Sequence, residues 1–135
     1  MAFLDTSMVV RYLIGTPPEL ANRAAAVIDQ VDALQVAGVT VLETAHVLTR
    51  VYRIPRQHVV DYLVEFLQKS NINLYALEKG LVIQALLTCR ASGRISFGDA
   101  LIWAAARTAG DPVVYSLDER FPADGLEILR GLADQ

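Results

Sequence analysis

Residues 96–115, SFGDALIWAAARTAGDPVVY, decide the fold class. Ser96 reads as a helix N-cap, the apolar positions after it recur at helical spacing to Ala109, and Gly110 supplies the stop. VVY at 113–115 then forms a short apolar run bounded by turn residues, which predicts a strand. The same alternation runs through the rest of the chain. A strand at 2–4 leads into Asp5, and a short helix at 8–14 closes at Gly15. Pro17-Pro18 punctuates before a helix at 19–31, followed by a strand at 34–37 and a helix at 40–52. Pro55 opens a helix with Val59, Tyr62, Leu63, Phe66 and Leu67 on one face; a strand at 73–76 and a helix at 78–92 follow, stopped by Gly93. Residues 126–129 read as a fifth strand, at an edge. Short apolar strands alternating with helices predict an α/β sandwich around a parallel sheet of four or five strands.

With 135 residues, 53% apolar and 20% charged, the chain fits one domain, 1–135, large enough to fold on its hydrophobic core. Its single Cys89 excludes a disulfide framework and a Cys-rich zinc site and reads as a buried small hydrophobe. The opening residues carry no basic leader, Asp5 interrupts the apolar stretch that a signal peptide needs, and no apolar run reaches spanning length. A cytoplasmic protein with no membrane partner is the expectation. The net charge of −3 argues against nucleic-acid binding by bulk electrostatics alone. Ten of the twelve basic residues are nonetheless Arg, whose fork suits phosphate.

Most of the fifteen acids, Asp29, Glu78, Asp124 and Asp134 among them, fall on expected solvent faces or in turns. Four do not. Asp5 ends the first strand; Glu43 sits inside the apolar stretch VTVLETAHVL; Asp99 opens a helix whose later positions include Ile102, Trp103 and Ala106; Asp118 follows the fourth strand. A carboxylate against an apolar surface is costly without a partner, and a shared cation would account for all four at once. Each follows a strand or opens a helix beside the sheet, so all four can gather at the carboxyl ends of the strands, where open α/β sheets bind ligands. Oxygen ligands without a paired His or Cys point to magnesium or manganese. Taken singly, Asp5 also reads as a helix N-cap, Asp99 as a first-turn acid favoured by the helix dipole, Glu43 as an exposed helical residue and Asp118 as a turn residue.

These four stretches resemble the motifs of the PIN domain, most closely the VapC-type ribonuclease toxins of toxin–antitoxin pairs. LDTSMVVRYLIG is similar to the first motif, VTVLETAHVLTR to the second, SFGDALIWAAA to the third and VVYSLDERF to the fourth, in order along nearly the whole chain. Ser7 stands where Asn is frequent and Ser96 where a further Asp is frequent; neither departure removes one of the four acids. The resemblance implies a three-layer α/β/α sandwich and a magnesium- or manganese-dependent endoribonuclease. Asp5, Glu43, Asp99 and Asp118 would be the metal-binding and catalytic acids, and the hydroxyls of Thr6 and Ser116 would orient carboxylates or water. It also implies a homodimer and a VapB-like antitoxin, docked in a groove formed by the helices at 8–14, 19–31 and 55–69.

Arg50 and Arg53, with Arg56 and Tyr52, form a basic, aromatic stretch that serves as a candidate RNA contact, and Arg90 with Arg94 forms a second. Arg11, about one turn from Asp5, is a third candidate, for substrate or for the acids. His46 and His58 have no partner at ligand spacing, and Trp103 reads as a core residue. Two other PIN-type readings stay open: a nuclease outside any toxin pair, acting in rRNA processing or on DNA, and an inactive binding module. A receiver domain is disfavoured because Asp5 has no acidic neighbour and no Lys follows Lys79; an Asp-x-Asp phosphatase is disfavoured by Ser7.

Overall fold

The computed structural model describes residues 1–132, so Asp134, expected on a solvent face, lies outside the described residues. The chain divides into two units, Met1–Tyr75 and the residues from Ala76 onward. The first unit runs β1 (Ala2–Phe3), α1 (Thr6–Ile14), α2 (Pro18–Gln30), β2 (Leu34–Val36), α3 (Gly38–His46), a π-helical turn (Val47–Val51), α4 (Arg56–Leu67) and β3 (Ile72–Leu74). β2 is central. It pairs in parallel with β1 (Ala2 with Leu34, Phe3 with Gln35) and with β3 (Leu34 with Ile72, Val36 with Leu74). Parallel neighbours need long crossovers, which α1–α2 and α3–α4 provide. Ile28, Leu34, Val36, Val59, Leu63, Leu67 and Ile72 are buried around this sheet, each worth roughly 1.5–3 kcal/mol of transfer free energy.

The second unit contains α5 (Lys79–Ala91), α6 (Phe97–Ala109), β4 (Val113–Tyr115) and β5 (Glu127–Leu129). α5 and α6 pack against each other, and β4 pairs with β5 in parallel, Val113 with Glu127 through Tyr115 with Leu129. Val82, Leu86, Cys89, Phe97, Trp103 and Ala104 are buried, as expected for Cys89 and Trp103. Ser96 caps α6, its hydroxyl accepting from Asp99 N at 3.0 Å, and Gly110 ends it with φ +78°. All strand pairings among the described residues are parallel, β1–β2–β3 in the first unit and β4–β5 in the second, as the expected parallel-sheet α/β fold requires.

Several boundaries differ from the periodic reading for identifiable reasons. α1 begins at Thr6, two residues early, because Asp5 caps it and lets Thr6 and Ser7 join the first turn. The helix expected at 40–52 changes to π geometry after His46. There the Thr49 hydroxyl bonds back to the carbonyls of Ala45 (2.8 Å) and His46 (3.2 Å), and Tyr52 N reaches Val47 O at 3.2 Å. Such back-bonding competes with the regular helical ladder. β3 stops at Leu74, since Ala76 at φ +58° cannot continue a strand. Glu78, placed by sequence on a solvent face, has a structural task as well: its carboxylate accepts from Gly80 N and Leu81 N, both at 2.9 Å, and caps α5.

Candidate active site

In the first unit, Asp5 stands at the end of β1 and at the N-cap of α1. Its Oδ2 accepts from the Ser7 hydroxyl at 2.6 Å and from Ser7 N at 3.1 Å. The hydroxyl, then the amide, hold its carboxyl below the usual aspartate range. Thr6, the next residue, donates from Oγ1 to Glu43 Oε1 at 3.0 Å. The start of α1 thus carries one acid in its cap and ties a second, on α3, through the adjacent hydroxyl.

Glu43 departs from expectation: it is exposed. Val39, one turn before it, is 61% exposed, so α3 turns an apolar-rich outer face away from the core, and Val41, Thr44 and Ala45 carry the buried face. Asp99 shows the same effect in milder form. It is half-buried, Ile102 is 52% exposed, and the buried side of α6 belongs to Ala100, Leu101, Trp103 and Ala104. The acids therefore are not charges trapped against the core; they lie at exposed or half-buried positions.

In the second unit, Asp99 and Asp118 interact directly. Burial, then a hydrogen bond shared with Asp118 and the charge of that carboxylate, push Asp99 above the usual aspartate range; the Ser96 hydroxyl and Arg120 offset this in part. Asp118 moves the other way, held low first by Arg120 N, which donates to its Oδ1 at 2.8 Å, and also by Asp99 and the Arg120 guanidinium. Environment moves the two carboxyls in opposite directions, Asp99 up and Asp118 down, and the two titrate as a pair. The turn bearing Asp118 is braced by its own amide on the Ser116 hydroxyl (3.1 Å). Arg130, at the end of β5, donates from Nη1 to the carbonyls of Ser116 (2.9 Å) and Asp118 (2.8 Å).

Arg120 and Arg130 are the supporting residues that sequence reading did not single out; Ser7, noted there as a departure from the first motif, is the third. The two-residue spacing of Ser7 from Asp5 and of Arg120 from Asp118 is a local signal for such contacts; Arg130 has none, being brought in only by the parallel pairing of β4 with β5. Arg11 donates from Nη1 to Thr16 O (3.0 Å) and to the Tyr52 hydroxyl (3.2 Å), tying α1 to the segment after the π turn. Arg50 and Arg53 are exposed, Arg53 in the left-handed region at φ +54°. Among the described residues no three His, Cys, Asp or Glu side chains group closely enough to hold a metal ion. The acids are brought together as Thr6-linked Asp5 and Glu43 and as the pair Asp99 and Asp118.

The chemistry of this donor set suits a hard divalent cation. Magnesium commonly takes one or two carboxylates directly and keeps water for the rest, and a mutually repelling carboxylate pair is relieved by such an ion. A carboxyl whose folded pKa is raised disfavours the folded state once ionised, so the destabilisation at Asp99 is absent at acid pH and grows as pH rises through its titration. In chelator at pH 7, Asp99→Asn is expected to raise Tm by about 1–2 °C, solvent screening keeping the gain small. The difference should vanish near pH 3; thermal melts at the two pH values check it.

The family model for the PIN domain matches residues 2–124. No curated protein matches the chain. Among solved structures it is similar to Mycobacterium tuberculosis VapC20, described as a Sarcin-Ricin loop cleaving toxin. The identity is 22%, 94% of this chain and 97% of that one are covered, and the TM-score is 0.46.

Proposed function

Because the chain belongs to the PIN-domain family, we propose that it is a magnesium- or manganese-dependent endoribonuclease of the VapC toxin type, neutralised by a VapB-like antitoxin. The observation that carries the reading is the opposed pair Asp99–Asp118, inside a family match that also spans Asp5 and Glu43. These four acids are the metal-binding and catalytic groups of the proposal. A divalent cation, when bound, would supply Lewis-acid stabilisation of the phosphoryl oxygens and lower the pKa of a water. The remaining work belongs to the chain. Ser7 fixes Asp5 as an ionised ligand, Thr6 holds the rotamer of Glu43, and Ser116 with Arg130 sets the turn that presents Asp118. Asp99, whose carboxyl is pushed up by burial and by Asp118, is the proposed group for proton transfer.

Arg50 and Arg53 are the proposed contacts to RNA phosphates, with Arg11 bracing Tyr52 beside them. A cavity of about 250 Å³ lined by Tyr12, Leu13, Tyr62, Glu65, Phe66 and Lys69, on α1 and α4 and the residues following it, supports docking of an antitoxin segment in a helical groove. The protein is proposed to act as a homodimer in the cytoplasm; among the described residues no helix is long and apolar enough to cross a membrane.

The test is incubation of purified protein with a mixed RNA pool, with manganese or with chelator, and mapping of the ends. New 5′-phosphate ends that require metal are expected; RNA left intact in manganese would overturn the reading. Metal binding is measurable separately. Manganese at ten times its dissociation constant should stabilise the fold by about 1.4 kcal/mol, a Tm rise of roughly 4–7 °C. A flat melting temperature across millimolar manganese would remove the metal site.

A further inference from the structure

The loop between α5 and α6 and the turn after β4 line one polar groove in the second unit. Arg94, Leu117, Asp118, Glu119 and Arg120 enclose about 540 Å³, and an adjoining hollow of about 220 Å³ shares Arg94, Glu119 and Arg120 with it. That size accommodates a nucleotide-scale ligand. Both arginines rise from fixed backbone: Arg94 N donates to the Ser92 hydroxyl at 3.3 Å and Arg120 N to Asp118 Oδ1 at 2.8 Å. Among the described residues the Arg94 guanidinium has no hydrogen bond or ion pair, and that of Arg120 pairs with Asp118 through Nε, at 3.6 Å. A planar guanidinium with open donors matches phosphate oxygens in a forked geometry that an ammonium does not reproduce. Leu117, 86% exposed between Ser116 and Asp118, adds an apolar surface at the rim that packs on nothing in its own unit's core. Two cations and two anions line the groove, so its grip on a polyanion rests on placement and not on bulk charge, in keeping with the chain's net charge of −3.

We propose that Arg94 and Arg120 clasp one backbone phosphate of the RNA strand next to the bond cut beside Asp118, with Leu117 under the neighbouring base. This assignment rests on the nuclease reading and adds a binding register to it. Arg94 carries the test, since Arg120 touches Asp118 and its removal would disturb an acid as well.

The experiment measures cleavage of short RNAs in which one phosphate at a time, on either side of the cut, is replaced by a neutral methylphosphonate. With unaltered protein, one position should raise KM about tenfold. Arg94→Ala should raise KM on the all-phosphate RNA by a similar factor, leave kcat within about twofold, and abolish the penalty of that one methylphosphonate. Arg94→Lys should recover part of the loss, and the salt dependence of KM should fall by about one phosphate contact in Arg94→Ala. Cleavage by the unaltered chain with losses that simply add in Arg94→Ala overturns the clasp and leaves the nuclease reading standing. No cleavage of any RNA overturns both.

Discussion

Asparagine in place of Asp99 is expected to cut the rate of RNA cleavage by about a thousandfold or more, while the chain stays folded. Asn preserves the shape of the side chain, and the Ser96 cap survives because Ser96 accepts from the backbone N of residue 99, not from its carboxylate. What disappears is a negative ligand and one carboxyl of the interacting Asp99–Asp118 pair. Loss of transition-state charge stabilisation on that scale corresponds to about 4 kcal/mol. Asp5→Asn should do comparable damage for a complementary reason. Asn is as good an N-cap as Asp, so α1 persists, but the carboxylate that Ser7 holds ionised is gone. Initial rates on a mixed RNA pool in manganese decide both; activity within tenfold of the unaltered chain in either variant would strike that acid from the site.

Trp103→Ala is expected to be the most damaging single change to stability, at about 3–5 kcal/mol. The indole is 4% exposed within α6, and its Nε1 donates to Asp124 O at 2.7 Å. Arg107 lies over the ring, 5.2 Å from the centroid, and donates to the same carbonyl at 3.2 Å. Truncation removes the ring volume, one of the two donors to the Asp124 carbonyl and the surface under Arg107 together. For a chain of this length Tm should fall by roughly 10–20 °C. Trp103→Phe keeps most of the volume and loses the N–H, so it should cost only about 1 kcal/mol. Urea unfolding of the two variants separates packing from the hydrogen bond, and equal losses would refute the packing account.

The elements were legible where periodicity and stop signals coincide. α6 is bounded by Ser96 and Gly110 as its sequence indicates, and β2 and β4 lie within the expected apolar runs. The π turn was not legible, because it depends on how Thr49 bonds to the preceding carbonyls, which an apolar pattern does not encode. The central place of β2 in the first unit was equally hidden, since β propensity says nothing about which strands pair. For the site, the four acids stood out by their neighbours, yet the inference that those neighbours imply burial fails at Glu43. Val39 and Ile102 show that an apolar residue beside an acid can itself face solvent. The opposed titration of Asp99 and Asp118 depends on tertiary proximity and on the Arg120 amide, neither of which the order of residues reveals.

Arg130 has a consequence for anyone who shortens this chain. One guanidinium nitrogen at the end of the last strand bridges two carbonyls of the loop carrying an acid of the proposed site. A truncation before Glu127 would unclip that loop and would impair turnover without touching any of the four acids of the proposed site. Deletion mapping alone would then mistake a brace for a reagent; a point change at Arg130 beside the truncation keeps the two apart.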